Sequence, residues 1–282
     1  MPDLPQPRRS GPRIAAIIIM IVAAIAGSVV GVGAIRTPAG QAQGTTLNGA
    51  ALAPATRPSI LRVASFNIHS CMSESGRLNP DLTAQTLQGF DLAGLMEVRG
   101  SLTSTPQAQL LGDMLHQPWL FAPTERRFWH DDFGNAVLTH LPVTSWERLP
   151  LPSIGESGSR NLLIARLAEP AITVLITHIA RHNDQDLQLK TIAEVFLRQT
   201  TPVILMGDLN ATSDNPVLKD LLANPTVGNP LDQFMPELRG KHIDWILTRG
   251  LTLRDAGTRE LGASDHPLIW AELQIPSSTT RP

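Results

Sequence analysis

The chain has 282 residues, 42% hydrophobic and 17% charged, and a formal net charge of −2. Those values carry no strong bias and suit one medium or large globular domain plus an additional segment. From residue 60 onward lie 18 of the 23 Lys and Arg and 24 of the 25 Asp and Glu, a formal charge of −6, which argues against holding long polyanions by charge alone.

Residues 14–35, IAAIIIMIVAAIAGSVVGVGAI, contain no charge. A helix of this length is about 33 Å long, against a bilayer core of about 30 Å. The pattern predicts a transmembrane signal-anchor helix. Arg8, Arg9 and Arg13 precede it with only Asp3 opposing them, which keeps residues 1–13 cytoplasmic and puts the rest outside. Two other readings compete: a cleaved signal peptide, for which AGQAQG around Ala42 offers small residues and Arg8-Arg9 a twin arginine, and a buried core helix, which the absence of a polar stripe disfavours. Residues 36–59 are rich in Gly, Ala, Thr and Pro and read as a flexible linker. Cys71 is the only cysteine, so an exported domain has no intramolecular disulfide to lean on.

The folded part runs over residues 60–275, with 276–282 as a tail. LRVASFNI (61–68) is the first predicted strand; Pro80 opens a helix over 81–90, and DLAGLMEV (91–98) is the second strand. TPQAQLLGDMLHQP reads as a helix bounded by prolines. Strands follow at NAVLTH, NLLIARL and AITVLITH, the last two joined by a short AEP turn that implies antiparallel pairing. Leu189, Ile192, Ala193 and Phe196 recur at helical spacing within 184–199, ahead of the strand PVILMGD; HIDWILT and HPLIWAELQI close the chain as strands. Hairpins mixed with strand-helix-strand units predict an α/β fold with mixed rather than purely parallel sheets, covered by helices.

Polar residues gather at the ends of these apolar runs: Asn67 with His69, Glu97, His178, Asp208 with Asn210, Asp244, and Asp265 with His266. Strand ends along one sheet edge bring distant residues into a single crevice. Taken singly, each cluster is equally a turn, because Asp and Asn bind their own backbone in Asx-turns. Together, the carboxylates and amides form a set of hard oxygen donors suited to Mg²⁺ or Mn²⁺, and cysteine is absent from it. A phosphoester site needs a cation on the oxygens, a base beside a water and donors for developing charge.

The motifs SFNIH, LMEV, GNAVLTHLP, THI, GDLN, HIDWI and SDHP, in this order across residues 60–274, resemble the endonuclease/exonuclease/phosphatase superfamily of metal-dependent phosphoesterases. The resemblance implies a four-layer α/β/β/α sandwich with two mixed β-sheets. It implies metal ligands at Glu97, Asn67 and Asp265, and a base or water-orienting group at Asp208. Asn210, His178 and His266 would meet phosphate oxygens, with Asp244 holding the His266 ring. Asn135 and Arg160 are expected to face substrate, each against a plain structural reading. The chain has no tyrosine, so it departs from the DNA-repair relatives and is closer to the two-histidine branch of deoxyribonucleases, sphingomyelinases and inositol-phosphate 5-phosphatases.

The expectation is a membrane-anchored, extracytoplasmic, Mg²⁺- or Mn²⁺-dependent hydrolase. Its partners would be a phosphate-ester substrate, whether nucleic acid, phospholipid head group or small phosphoester, and the membrane through its N-terminal helix. The alternative is a catalytically inactive binding module on the same fold. His130, Asp131 and Asp132 read as a solvated loop or substrate rim rather than a second metal cluster, and His69, His116, His140, His182 and His242 receive no role.

Overall fold

A computed structural model describes residues 36–49, 58–101, 104–127, 131–154 and 158–275. The expected membrane helix over 14–35, the segment 1–13 and the tail 276–282 lie outside the described residues. Two mixed sheets pack face to face. The first has seven strands in the order β1-β5-β6-β4-β3-β13-β12: β1 (Arg36–Pro38), β3 (Ile60–Asn67), β4 (Leu92–Arg99), β5 (Trp119–Arg127), β6 (Phe133–Thr139), β12 (Thr252–Arg259) and β13 (Leu268–Gln274). The second has six, in the order β11-β10-β9-β8-β7-β2: β2 (Ala42–Gly44), β7 (Val143–Pro150), β8 (Asn161–Leu167), β9 (Thr173–His178), β10 (Val203–Asp208) and β11 (Asp244–Arg249). Only β3 with β4 and β9 with β10 run parallel; the other pairs are antiparallel.

Side-chain alternation builds the layers. In β3, Leu61 and Val63 point between the sheets, where they join Ile176, Ile204 and Met206 of the second sheet, while Ala64 and Phe66 point outward. That outer face is covered by α1 (Pro80–Thr86) and α2 (Gln107–Leu115) through Ala84, Ala108 and Leu111. On the second sheet, Leu162, Leu175 and Leu205 face outward against α3 (Gln185–Arg198) and α4 (Pro216–Leu222), which contribute Leu189, Ile192, Phe196 and Leu218. Burying one such aliphatic side chain contributes about 1.5–3 kcal/mol, so the three clusters together outweigh any single polar contact. A fifth short helix, α5 (Pro230–Phe234), packs at the β11–β12 end of the sandwich, where Leu231 joins the inter-sheet core.

Asn-Pro pairs open three of the helices. The side chains of Asn79, Asn215 and Asn229 accept hydrogen bonds from backbone N–H groups of the first turn, and the following proline has no N–H to leave unsatisfied.

The linker expected over 36–59 is corrected in part. Residues 36–38 pair with β5 and residues 42–44 with β7, adding an edge strand to each sheet. Edge pairing uses backbone N–H and C=O groups and needs no apolar alternation, so a Gly-, Ala- and Thr-rich stretch does it without announcing itself. The side chains still help, because Arg148 Nε donates to Gly40 O and Trp146 Nε1 to Thr46 O.

Candidate active site

The same alternation that fills the core delivers polar residues to one rim. Positions 174, 176 and 178 of β9, 204, 206 and 208 of β10, and 244 and 246 of β11 share the inner face, so His178, Asp208 and Asp244 end the apolar rows of three adjacent strands. Register confirms the alignment, with Asp208 opposite His178 on one side and Asp244 on the other. Asn67 ends the inner row of β3 in the facing sheet. Gly207 permits the close approach: its φ is +153°, and a Cβ there would collide with the Thr177 carbonyl oxygen.

Glu97 reaches the crevice by a different device. Leu95 and Val98 both belong to the outer cluster although they stand three positions apart, and the β4–β6 register shifts between them. This bulge puts Glu97 at φ +58°, a conformation that ordinary side chains avoid, and turns its carboxylate into the crevice. Asn210 at φ +46° and His69 at φ +45° are similarly constrained just past their strand ends.

Asn67 is the hub between the sheets. Its Nδ2 donates to Glu97 Oε1 at 3.2 Å and to Asp208 Oδ2 at 3.1 Å, and its Oδ1 accepts the His69 N–H at 3.1 Å. Asp208 is 1% exposed and also accepts the Asn210 N–H at 2.8 Å through Oδ1. Burial, then the nearby Asp244 charge, push its pKa up to about 6, against the pull of the Asn210 N–H, His266 and the Asn67 amide. A carboxylate at that value is poised to exchange a proton near neutral pH.

His266 Nδ1 lies 2.7 Å from Asp244 Oδ2, and its Nε2 points toward Asp208 Oδ2 at 3.9 Å. Burial opposes its charge, but the Asp244 hydrogen bond and the charges of Asp244, Asp208 and Asp265 outweigh that and raise its pKa to about 9. His178 behaves oppositely. It is 5% exposed, with Nε2 3.4 Å from Asp208 Oδ2 and Nδ1 3.3 Å from Arg160 Nη1. Burial first, then Arg160, His266 and Arg181, hold its pKa well below 6.5, so it is a neutral ring bridging guanidinium and carboxylate rather than a free cation.

The rise at His266 has a sign that can be measured. Its pKa is higher folded than unfolded, so its contribution is fully present below about pH 6.5 and is lost as pH climbs through about 9. The melting temperature of the metal-free full chain in EDTA should fall across that window. Asp244→Asn should flatten the fall, and an unchanged slope in the variant would disprove the coupling.

Most of the expected residues line one crevice of about 520 Å³, namely Glu97, Arg160, His178, Asp208, Asn210, Asp265 and His266. Asn67 and Asp244 touch it through the hydrogen bonds above. Asn135 does not belong there. It is buried, and its Nδ2 donates to the backbone and side-chain oxygens of Asn161, so it ties β6 to β8 across the sandwich. Asn135 was expected to face substrate; it lies outside the crevice lining, with its amide on Asn161 and its Oδ1 buried without a partner. Its position on the inner face of β6 is what directs it to Asn161, and no local motif encodes that partner.

The crevice also holds residues to which the sequence assigned no role. His69 Nδ1 lies 3.3 Å from Asp265 Oδ1, and Arg181, His182 and Asn183 form part of the wall. His69 stands two residues beyond Asn67, inside the SFNIH motif, and that spacing was the available signal. His242 supports from behind: its Nδ1 is 2.8 Å from Asp244 O and its ring lies tilted by 49° against Trp245, centroids 4.0 Å apart.

The donor chemistry fits a hard divalent cation. The crevice offers carboxylates, amides and imidazoles, while Cys71 is buried elsewhere with its thiol pKa raised to about 11 by burial. Among the described residues, the group whose ligand atoms all lie within 4.8 Å of one another is Asp208, Asp244 and His266. Glu97 and Asp265, expected as ligands with Asn67, face the same space without forming so compact a group. Two buried polar atoms remain unpartnered at the rim, Asp244 Oδ1 and Arg160 Nε.

Two packed mixed sheets with helices outside them and a polar crevice at their rim define an α/β sandwich. The endonuclease/exonuclease/phosphatase family model matches residues 64–266, and the chain belongs to that family, a superfamily of phosphoester hydrolases. A UPF0294 protein of Yersinia enterocolitica is 38% identical over 93 residues, which are 31% of this chain and 35% of that protein, so the match spans about a third of the relative's length. Among solved structures, an endonuclease/exonuclease/phosphatase from Beutenbergia cavernae is similar with a TM-score of 0.63 at 19% identity, over 77% of this chain and 72% of that one. The mannosyl-6-phosphatase Bt3783 of Bacteroides thetaiotaomicron is similar with a TM-score of 0.54 at 15% identity, over 76% and 99% respectively.

Proposed function

We propose that the protein is a Mg²⁺- or Mn²⁺-dependent phosphoesterase that hydrolyses its substrate by attack of a water activated at Asp208. The observation that carries this reading is the line Asp244–His266–Asp208, in which a charged imidazole from the loop before β13 and a carboxylate with a pKa of about 6 at the end of β10 face one crevice. Glu97 and Asp265 would hold the cation with Asn67, which when bound neutralises charge on the phosphoryl oxygens. Arg160 would bind a phosphate oxygen through its guanidinium, whose Nε is buried and unpartnered. His266, kept protonated by Asp244, donates from Nε2 to the oxygen that gains negative charge. Asn210 has one amide hydrogen on Ile179 O at 2.9 Å, leaving the second for substrate. Asp208 accepts the water's proton while the Asn67 amide and the Asn210 N–H fix its carboxylate plane.

The full chain should hydrolyse bis-p-nitrophenyl phosphate in the presence of Mg²⁺ or Mn²⁺. Inactivity on that ester and across a broad phosphoester panel would leave the inactive binding module as the better reading. The apolar stretch at residues 14–35, with Arg8, Arg9 and Arg13 before it, supports an extracytoplasmic site tethered to a membrane. Cleavage of the domain by protease added outside intact cells tests this orientation.

A further inference from the structure

The crevice does not stand alone. A second cavity of about 670 Å³ borders it at His69 and Glu97 and is walled by Met72, Leu78, Pro80 and Leu110. A third, of about 360 Å³, borders it at Ile243, Asp265 and His266 and is walled by Leu231, Met235, Leu238 and Ile269. The two wells share no residue. The first opens beside β4 and the second beside β13 and β12, and β3 runs between them in the sheet order. The central crevice, which holds the base and the phosphate-binding groups, therefore has one apolar-walled well on either side.

A phosphomonoester carries one organic substituent and needs one such space; a phosphodiester carries two. We infer that the substrate is a phosphodiester of apolar alcohols, a lipid-type ester, with one arm in the Leu78–Leu110 well and the other in the Leu231–Leu238 well. This rests on the phosphoesterase reading and narrows it. Charge favours the same class over a polynucleotide, whose neighbouring phosphates would have to enter both wells. The first is lined by Arg99 with Glu97 and Asp131, the second by Lys241 with Asp244, Glu260 and Asp265, so carboxylates outnumber Lys and Arg in each. Repeated phosphates would meet repulsion there, whereas alkyl groups would cover side chains such as Leu78, which is 65% exposed.

Binding measured without turnover tests this separately from hydrolysis. The full chain in EDTA is titrated calorimetrically with dimethyl phosphate, dibutyl phosphate and the dinucleotide thymidylyl-thymidine, with Arg160, Arg181 and His266 as the anion site in every case. Dibutyl phosphate should bind about tenfold or more tightly than dimethyl phosphate, because each arm gains methylenes that leave water. Leu78→Ser and Leu238→Ser, at partly or largely exposed positions, should each weaken dibutyl phosphate by roughly threefold while leaving dimethyl phosphate unchanged, which also reports an intact fold. Equal affinities for the two dialkyl esters, tighter binding of the dinucleotide, or indifference to both substitutions overturns the inference. A flat series alongside hydrolysis of bis-p-nitrophenyl phosphate removes the wells and keeps the phosphoesterase. A graded series without hydrolysis of any phosphoester does the reverse.

Discussion

Replacing Asp208 with asparagine should lower kcat by about two orders of magnitude or more while leaving the fold intact. The substitution keeps the size and one oxygen of the side chain, so the Asn210 N–H can still be accepted, but it removes the group that takes the water's proton. No neighbour can substitute. Asp244 is engaged with His266 at 2.7 Å, and Glu97 is bonded to Asn67 at 3.2 Å on the far side of the hub. Loss of the buried charge relieves repulsion with Asp244, the second contributor to the raised Asp208 pKa, while an amide NH2 in place of Oδ2 would meet the Asn67 Nδ2 and His178 Nε2 groups, so the metal-free variant should melt only modestly below the parent. Steady-state kinetics and thermal unfolding together check the claim. A variant with nearly parental kcat would dismiss Asp208 as the base, and a collapsed melting temperature would make it a structural residue.

His266→Ala should cost a comparable factor, about 100- to 1000-fold in kcat, as loss of a charged donor to a developing oxyanion does. The distinguishing readout is where the loss falls. If the imidazolium acts on charge that appears during reaction, kcat falls and KM moves little; if it only attracts a negatively charged substrate, KM rises and kcat is spared. Asp244→Asn should reproduce part of the kcat loss, since the neutral amide no longer keeps His266 protonated. Parental kcat in His266→Ala would remove the ring from the mechanism.

Much of this site was written in the sequence because strands with one buried face obey strict alternation. Once β9, β10 and β11 are recognised as apolar runs, His178, Asp208 and Asp244 must fall on the inner face at their ends, and seven short motifs in order identified the architecture. What escaped notice shares a physical cause. The strands β7 and β12, VTSWERLP and TLRDAGTR, are largely polar, and β1 and β2 are three residues each; all four are held by backbone pairing, which leaves little pattern in the side chains. The strand β5 carries Pro123 within WLFAPTERR, which argues against a strand unless its missing N–H is tolerated, as it is beside the register shift between Pro123 and Glu125. The short helices α4 and α5 were legible in principle, since each follows the same Asn-Pro signal that opens α1.

Asn135 is the complementary case. Its motif suggested substrate, but the inner face of a sandwich is shared by core and site alike, and only the opposite sheet decides which of the two a polar residue serves. Asn161 takes the Asn135 amide hydrogens, leaving its Oδ1 unpartnered, whereas the crevice engages Asn67. His178 was expected on the phosphate; it lines the crevice with its two ring nitrogens 3.3 Å from Arg160 and 3.4 Å from Asp208, between guanidinium and carboxylate. That placement needs the register of three strands, which a single sequence does not supply.

The central claim is that a divalent cation sits on the Glu97 side of the crevice, leaving Asp208 free to serve water. Anomalous diffraction from crystals soaked in manganese chloride tests it most directly. The account predicts a manganese peak within coordination distance of the Glu97 and Asp265 carboxylates. A peak confined to Asp208, Asp244 and His266, or no peak anywhere in the crevice, would contradict it.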